Sequence, residues 1–338
     1  MTIKNNRTMN ERKIKKALLG LLAAGALVLL IAGCGGGGGA NLSAGGGGSN
    51  QSPPGVVWEY QDSGISNDLW GITWSDFMSQ YVSVGAFGEV ATSPDGISWT
   101  EQRSGTSYDL HGVSWSDFLS QYVAVGDGGT VLTSPDGINW TWELSNTSDD
   151  LWGVNWSYFQ SQYVAVGGFG TIITSPDGFN WTTQLSGTSK DILGVTWAGR
   201  QSQYVAVGGS GTILNSPDGI SWKTQTSGTS NDLLGVTWSG SRYVAVGGFG
   251  TVLDSPDGVN WTEEASGTRN DLWAVNWSGL QSQYVAVGGS GTILTSPDGA
   301  NWTAQYSGVP FDLHGINWAD FEFQYVVVGD TGTILTSP

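Results

Sequence analysis

The sequence predicts an all-β ring: a seven-bladed β-propeller with four antiparallel strands per blade, the last blade closed by the N-terminal strand of the domain. Three observations carry this. Ser-Pro-Asp-Gly-x-x-Trp recurs with its Ser at 93, 134, 175, 216, 255 and 296; a degenerate copy, Ser52-Pro53-Pro54-Gly55-Val56-Val57-Trp58, precedes them, and Ser337-Pro338 starts another. The steps from Ser52 to Ser337 are 41, 41, 41, 41, 39, 41 and 41 residues, a period of about 40 that suits one propeller blade. Each period splits into four short β-branched or aromatic stretches separated by Gly, Ser, Asn, Asp and Pro, which is the signature of strands joined by tight turns. The composition agrees: of 338 residues 53 are Gly and 18 Trp, and charged residues are only 12%, about half the usual share.

The elements follow in chain order. Residues 1–16 hold six basic side chains and one acid, Glu11, and an apolar run from Ala17 to Ala32 comes next. A basic region followed by an apolar core of roughly 7–15 residues reads as a secretory signal over 1–33, short of the about 20 apolar residues of a stable span. The run ends in Leu30-Ile31-Ala32-Gly33-Cys34, which contains the single Cys of the chain. This resembles the lipobox of bacterial lipoproteins. The resemblance implies cleavage before Cys34 and acylation of that residue, so that the lipid bilayer is a partner through Cys34. Gly35 in place of Asp then implies the outer membrane or cell surface of the bacterial envelope. Residues 34–51, rich in Gly and Ser, carry no apolar payload and read as a tether. A lone Cys also excludes a disulfide framework within the chain.

Residues 52–338 are the propeller domain. In the third full repeat the predicted strands are FNWTTQ (179–184), DILGVTW (191–197), QYVAVG (203–208) and GTILN (211–215). The domain starts on the Trp58 stretch and finishes on GTILTS (332–337), so the last blade takes three strands from the C-terminus and its outermost from the N-terminus. That clasp joins the two ends of the ring.

The recurrent SPDGxxW, together with QYVAVG and GTILTS, resembles the Asp-box repeat of neuraminidase-type propellers, and in style the photosystem II stability/assembly factor-like propellers, over 52–338. An Asp-box usually keeps one residue between its Asp and its Gly; here Asp95-Gly96 and their equivalents are adjacent, a shorter variant. The resemblance implies that the box lies at the turn between the third and fourth strands. It also implies that the loops entering the inner strands and the loops after QYVAVG share the opposite face.

Residues present in every blade read as packing. Two Trp rings are locked to the repeat: Trp58, Trp99, Trp140, Trp181, Trp222, Trp261 and Trp302 on the outer strand, and Trp74, Trp115, Trp156, Trp197, Trp238, Trp277 and Trp318 on the inner. Each offers a large apolar area to bury between sheets. The SPDG Asp reads as an acceptor for its own turn backbone, since one carboxylate cannot supply the roughly six to eight oxygens of calcium. The Asp before each inner strand receives the same structural reading.

Function is expected where the repeats disagree. The residue after each Asp-Leu or Asp-Ile pair is Trp70, His111, Trp152, Leu193, Leu234, Trp273 or His314, so five neighbouring blades offer Trp or His. The only two His lie in the only two blades with Asp after the QYVAVG or QYVVVG segment, Asp127 and Asp330. Cross-strand geometry places each His beside its Asp. Three readings remain: a local hydrogen-bonded pair, part of a ligand-binding mouth, or a metal site, the last short of the three or four converging ligands that a tight site needs. Trp70, His111, Asp127, Trp152, Trp273, His314 and Asp330 are therefore the candidate mouth, with no catalytic residue, metal or cofactor assigned.

Charge narrows the partners. After the signal, six basic residues against 28 acidic ones leave a formal charge of −22, which disfavours nucleic acid and favours cationic or neutral partners. Two function classes follow: a membrane-tethered, non-catalytic scaffold for a protein or neutral glycan partner, or a glycan-active enzyme of sialidase or glycosidase type. The resemblance makes a sialidase depend on an arginine cluster, and the four Arg of the domain, Arg103, Arg200, Arg242 and Arg269, are scattered. The scaffold is the primary expectation.

Overall fold

A computed structural model describes residues 57–337. The signal at 1–33, the tether at 34–51 with Cys34, and residues 52–56 lie outside the described residues. Among the described residues, 28 strands form seven four-stranded antiparallel sheets. The first blade is Leu69–Ser75, Gln80–Gly85, Glu89–Ser93 and Thr100–Arg103, and the next five repeat its order from inner to outer strand. The seventh is Leu313–Ala319, Gln324–Gly329 and Ile334–Ser337, completed by Glu59–Gln61. Its register pairs Glu59 with Thr336, Tyr60 with Leu335 and Gln61 with Ile334. The expected clasp is thus present, and it covers a strand edge that would otherwise be free to pair with another chain.

The SPDG turn lies between the third and fourth strands of a blade, and its side chains make it rigid. Asp95 Oδ1 accepts from the backbone N–H of Ile97 (2.9 Å) and Ser98 (2.7 Å), and Ser93 Oγ accepts from Gly96 N–H (2.8 Å). Gly96 takes a φ of +75°, a region that favours glycine. Trp99 Nε1 donates to Gly96 O at 2.9 Å. The Trp of this turn sits one residue ahead of the outer strand, which starts at Thr100, Thr182 or their equivalents; the turn hydrogen bonds hold residues that alternation alone assigned to the strand. Five of the turns are also tied to the preceding blade by a Gln side chain: Gln80 Nε2 donates to Asp136 O at 2.6 Å and Gln324 Nε2 to Asp95 O at 2.6 Å, and Gln121, Gln162 and Gln203 do the same.

Seven apolar clusters lie between adjacent blades. In one, Leu69, Ile72, Tyr81 and Ala91 of blade one meet Ala319, Val326, Val328 and Ile334 of blade seven. The fully buried aromatic is Tyr of the second strand, from Tyr81 to Tyr325 in all seven blades. The two Trp rings flank it: Trp74 and Trp99 approach Tyr81 at centroid separations of 4.4 and 6.3 Å. Most of these Trp are only half-buried, with Trp58, Trp115, Trp181 and Trp318 the buried ones. The Trp rings therefore do pack, but as covers over a tyrosine core.

The turns and the tyrosine core titrate at opposite ends of the pH scale. The backbone N–H of Asn260 leads the groups that lower Asp257 from its ordinary 3.8 to about 2, partial burial opposing them, and Asp298 is held at about 2 first by the backbone N–H of Asn301. A depressed carboxyl contributes stability above its unfolded pKa and loses it as pH falls through the folded value. Burial raises Tyr122, Tyr204 and Tyr243 from 10.0 to about 12. A raised tyrosine contributes stability below its unfolded pKa and loses it as pH rises towards the folded one. We expect thermal midpoints measured across pH to show these turns failing between 3.8 and about 2, and the core between 10.0 and about 12. Unfolding already complete by pH 5 or 9 would contradict this assignment.

Candidate functional site

One end of the ring is built by an irregularity that recurs in every blade. Leu69 pairs with Gly85 and Gly71 with Val84, so Trp70 is an extra residue in the inner strand. The same register shift isolates His111, Trp152, Leu193, Leu234, Trp273 and His314. A β-bulge re-aims the side chain that it displaces. All seven displaced side chains line one cavity of about 570 Å³ at the mouth of the central channel. Beneath it Ile72, Val113, Val154, Val195, Val236, Val275 and Ile316 line a narrower throat of about 200 Å³. Between these layers most blades place Gly, because the inner strands approach closely: a Cβ on Gly315 would lie 2.6 Å from Trp70 O.

The loop after each second strand forms the rim. It is a three-residue turn whose middle residue has positive φ, such as Phe87 at +57° and Phe249 at +55°. Positive φ is strained for a bulky side chain, and the next blade supplies a restraint. Asp109 Oδ1 accepts from Phe87 N–H at 2.7 Å, and Asp271 Oδ1 from Phe249 N–H at 2.7 Å. The pattern runs around the ring to Asp68, which accepts from Thr331 N–H at 2.7 Å. The Asp before each inner strand is structural as expected, but it latches the preceding blade instead of its own turn.

The mouth is chemically lopsided. Trp70 stacks on His111 with centroids 4.9 Å apart and planes at 22°, and His111 lies 4.3 Å from Trp152. Trp273 meets His314 edge-on at 5.5 Å. Leu193 and Leu234 form the apolar remainder. Nε2 of His111 lies 2.7 Å from Asp127 Oδ1, and Nε2 of His314 lies 2.6 Å from Asp330 Oδ1. The four residues singled out for this correlation are thus paired as cross-strand geometry predicts. Asp127 and Asp330 fix the imidazoles from the rim, while the His rings themselves face the cavity. Among the described residues no group of three or more His, Cys, Asp or Glu converges as a metal site.

Sequence reasoning passed over three wall residues. Asp232, Asp271 and Phe249 also line the cavity. The two Asp were hidden by their repeat-wide latch role. Phe249 shares its turn position with Phe87 and Phe169, where the other four blades have Gly, Ser or Thr, and only the fold shows that Phe249 reaches the mouth. The wall thus contains carboxylates and no Lys or Arg among the described residues.

No family model matches the sequence, and no curated protein matches it. Solved structures do share the fold. YCF48 from Cyanidioschyzon merolae is 19% identical, with a TM-score of 0.67 over 82% of this chain and 98% of that one. A structure of YCF48 bound to D1 peptide is 18% identical, with a TM-score of 0.68 over 85% and 95%. The WD40 β-propeller domain of Doa1 is 10% identical, with a TM-score of 0.66 over 83% and 97%. At these identities the likeness is one of fold.

Proposed function

We propose that this chain is an extracytoplasmic lipoprotein, held through acylated Cys34 at the outer membrane or cell surface, whose propeller is a non-catalytic scaffold that binds a protein partner at the aromatic mouth. The observation that carries this reading is the convergence of seven bulge residues on one cavity, with Trp or His in five adjacent blades and two imidazoles held by their own carboxylates. Such a wall offers flat apolar faces for stacking and cation–π contact, and its Asp232 and Asp271 suit a neutral or cationic group. The solved propeller bound to D1 peptide supports a peptide or protein as the class of partner.

The experiment is capture of envelope proteins by the immobilised ring, residues 52–338, and by a W70A/W152A/W273A variant. Centrally placed Trp residues commonly contribute about 2 kcal/mol or more to binding, so the variant should bind the captured partner at least about 30-fold more weakly. These Trp are half-buried, and the thermal midpoint of the variant serves as the folding control. Undiminished capture by a folded variant would remove the mouth from the reading. Turnover of a glycoside substrate panel by the parent ring would replace it with the enzymatic one.

A further inference from the structure

The face opposite the mouth carries an asymmetry of its own. There the turn between the first and second strands of each blade meets solvent. In five neighbouring blades it presents a large apolar side chain: Leu280, Phe323, Phe77, Phe118 and the pair Tyr158 and Phe159, from 58% to 71% exposed. Blades four and five carry Gly199-Arg200-Gln201 and Ser239-Gly240-Ser241 at that turn instead. Neighbouring rings run together, Phe118 to Tyr158 at 6.4 Å and Tyr158 to Phe159 at 5.9 Å. A run of exposed apolar side chains of this kind marks a surface that another phase or molecule covers.

The chain itself points to the occupant. Glu59–Gln61 takes the place of a fourth strand, and fourth strands start from the SPDG face, so the N-terminal segment joins the ring on the side of the aromatic belt. Twenty-two residues separate Cys34 from Val57. A Gly-rich stretch of that length has an r.m.s. span of about 25 Å, which puts this face within reach of any acyl chains on Cys34. We propose that the belt seats on the zwitterionic surface of the bilayer that holds Cys34, so that the mouth faces away from the membrane; this rests on the lipoprotein reading above. Lipid charge follows from the neighbouring groups. Asp76 and Asp117 flank Phe77 and Phe118, and their carboxylates accept the indole N–H of Trp74 and Trp115 at 2.6 Å. The SPDG carboxylates share the face, and anionic headgroups would be repelled by them.

The test uses the full chain, expressed with its signal and reconstituted in phosphatidylcholine vesicles. Acylation consumes the Cys34 thiol, so a new Cys takes an environment-sensitive fluorophore, with the parent chain as the labelling background. Phe118→Cys reports the belt and Ser290→Cys the mouth rim. Brominated acyl chains should quench the label at 118 and leave the label at 290 bright. Adding Phe77→Ser and Phe159→Ser should abolish the quenching at 118 without lowering the thermal midpoint, because both side chains are exposed. Replacing part of the phosphatidylcholine with phosphatidylglycerol should weaken it. Equal quenching at both sites, or none at 118, would overturn the proposal. The mass of the N-terminal peptide reads the anchor separately. An unacylated chain still quenched at 118 would keep the belt and reject the anchor, and an unacylated chain with no quenching would reject both.

Discussion

Replacing Arg242 with Ala is expected to cost the ring about 3 kcal/mol, the low end for stranding one partner of a buried ion pair, because Asp254 is buried while the Arg242 side chain is 43% exposed and partly screened by water. Blade five departs from its neighbours twice. Arg242 stands where other blades have Gln, and Asp254 where they have Thr or Asn. The two form an ion pair, and Asp254 is only 1% exposed. Removing the guanidinium leaves the carboxylate without its counter-charge beside Val244, its cross-strand neighbour. At about 2–4 °C per kcal/mol for a large domain, the thermal midpoint should fall by about 10 °C. The double change R242Q/D254T should behave differently. A threonine side chain at position 254 would meet Glu264 as Thr133 meets Glu143, at 2.9 Å. A glutamine side chain at position 242 would stand where, in blade one, Gln80 reaches Asp136 O. A double variant near the parental midpoint, beside a strongly destabilised single one, checks the assignment by calorimetry. Equal losses in both would show that the ion pair is not what matters in blade five.

The second large effect is expected at the clasp. Trp58 is buried at 8% and packs against Tyr325 of the last blade, centroids 6.3 Å apart. Trp58→Ala should cost about 3–5 kcal/mol, the range for a buried aromatic truncated to Ala. Its equivalents Trp222 and Trp302 are only half-buried, and the same substitution there should cost less. Deleting residues 57–61 goes further, because it leaves Ile334–Ser337 as an open edge. Light scattering of that variant should show oligomers, since an unpaired strand edge recruits other chains. A monomeric deletion variant with the parental midpoint would mean that the ring closes without the clasp.

The fold was legible because it is written seven times. The SPDG turns, the 41-residue step and the offset between Trp58 and GTILTS specified blade number, strand number and closure. The pairing of His111 with Asp127 and of His314 with Asp330 was also legible, since a two-strand ladder is local and its register follows from the pattern. Other features were not. The core aromatic is Tyr, although Trp is the more conspicuous residue. A repeat shows that a residue matters in every blade without showing which partner is the deeper one. The Asp68-type carboxylates were recognised as structural, but their reach to the preceding blade spans a distance that periodicity does not encode. The ion pair of Arg242 and Asp254 was not legible, because the two residues lie 12 positions apart, Arg242 just ahead of one strand and Asp254 on its neighbour, in the blade whose step is 39 residues.

The mouth divides the two kinds of information most clearly. By itself the sequence determined that one position per blade varies among Trp, His and Leu, and that five neighbouring blades share aromatic or imidazole side chains. It determined the strands, the turns and the ring, because hydrophobic alternation and turn chemistry act over a few residues. Only the tertiary structure decided that this position is a bulge, that seven bulges aim at one cavity, and that Phe249, Asp232 and Asp271 join its wall. Convergence on an axis depends on how the blades twist and pack around it. That geometry is set by contacts between residues dozens to hundreds of positions apart, and no local pattern carries it.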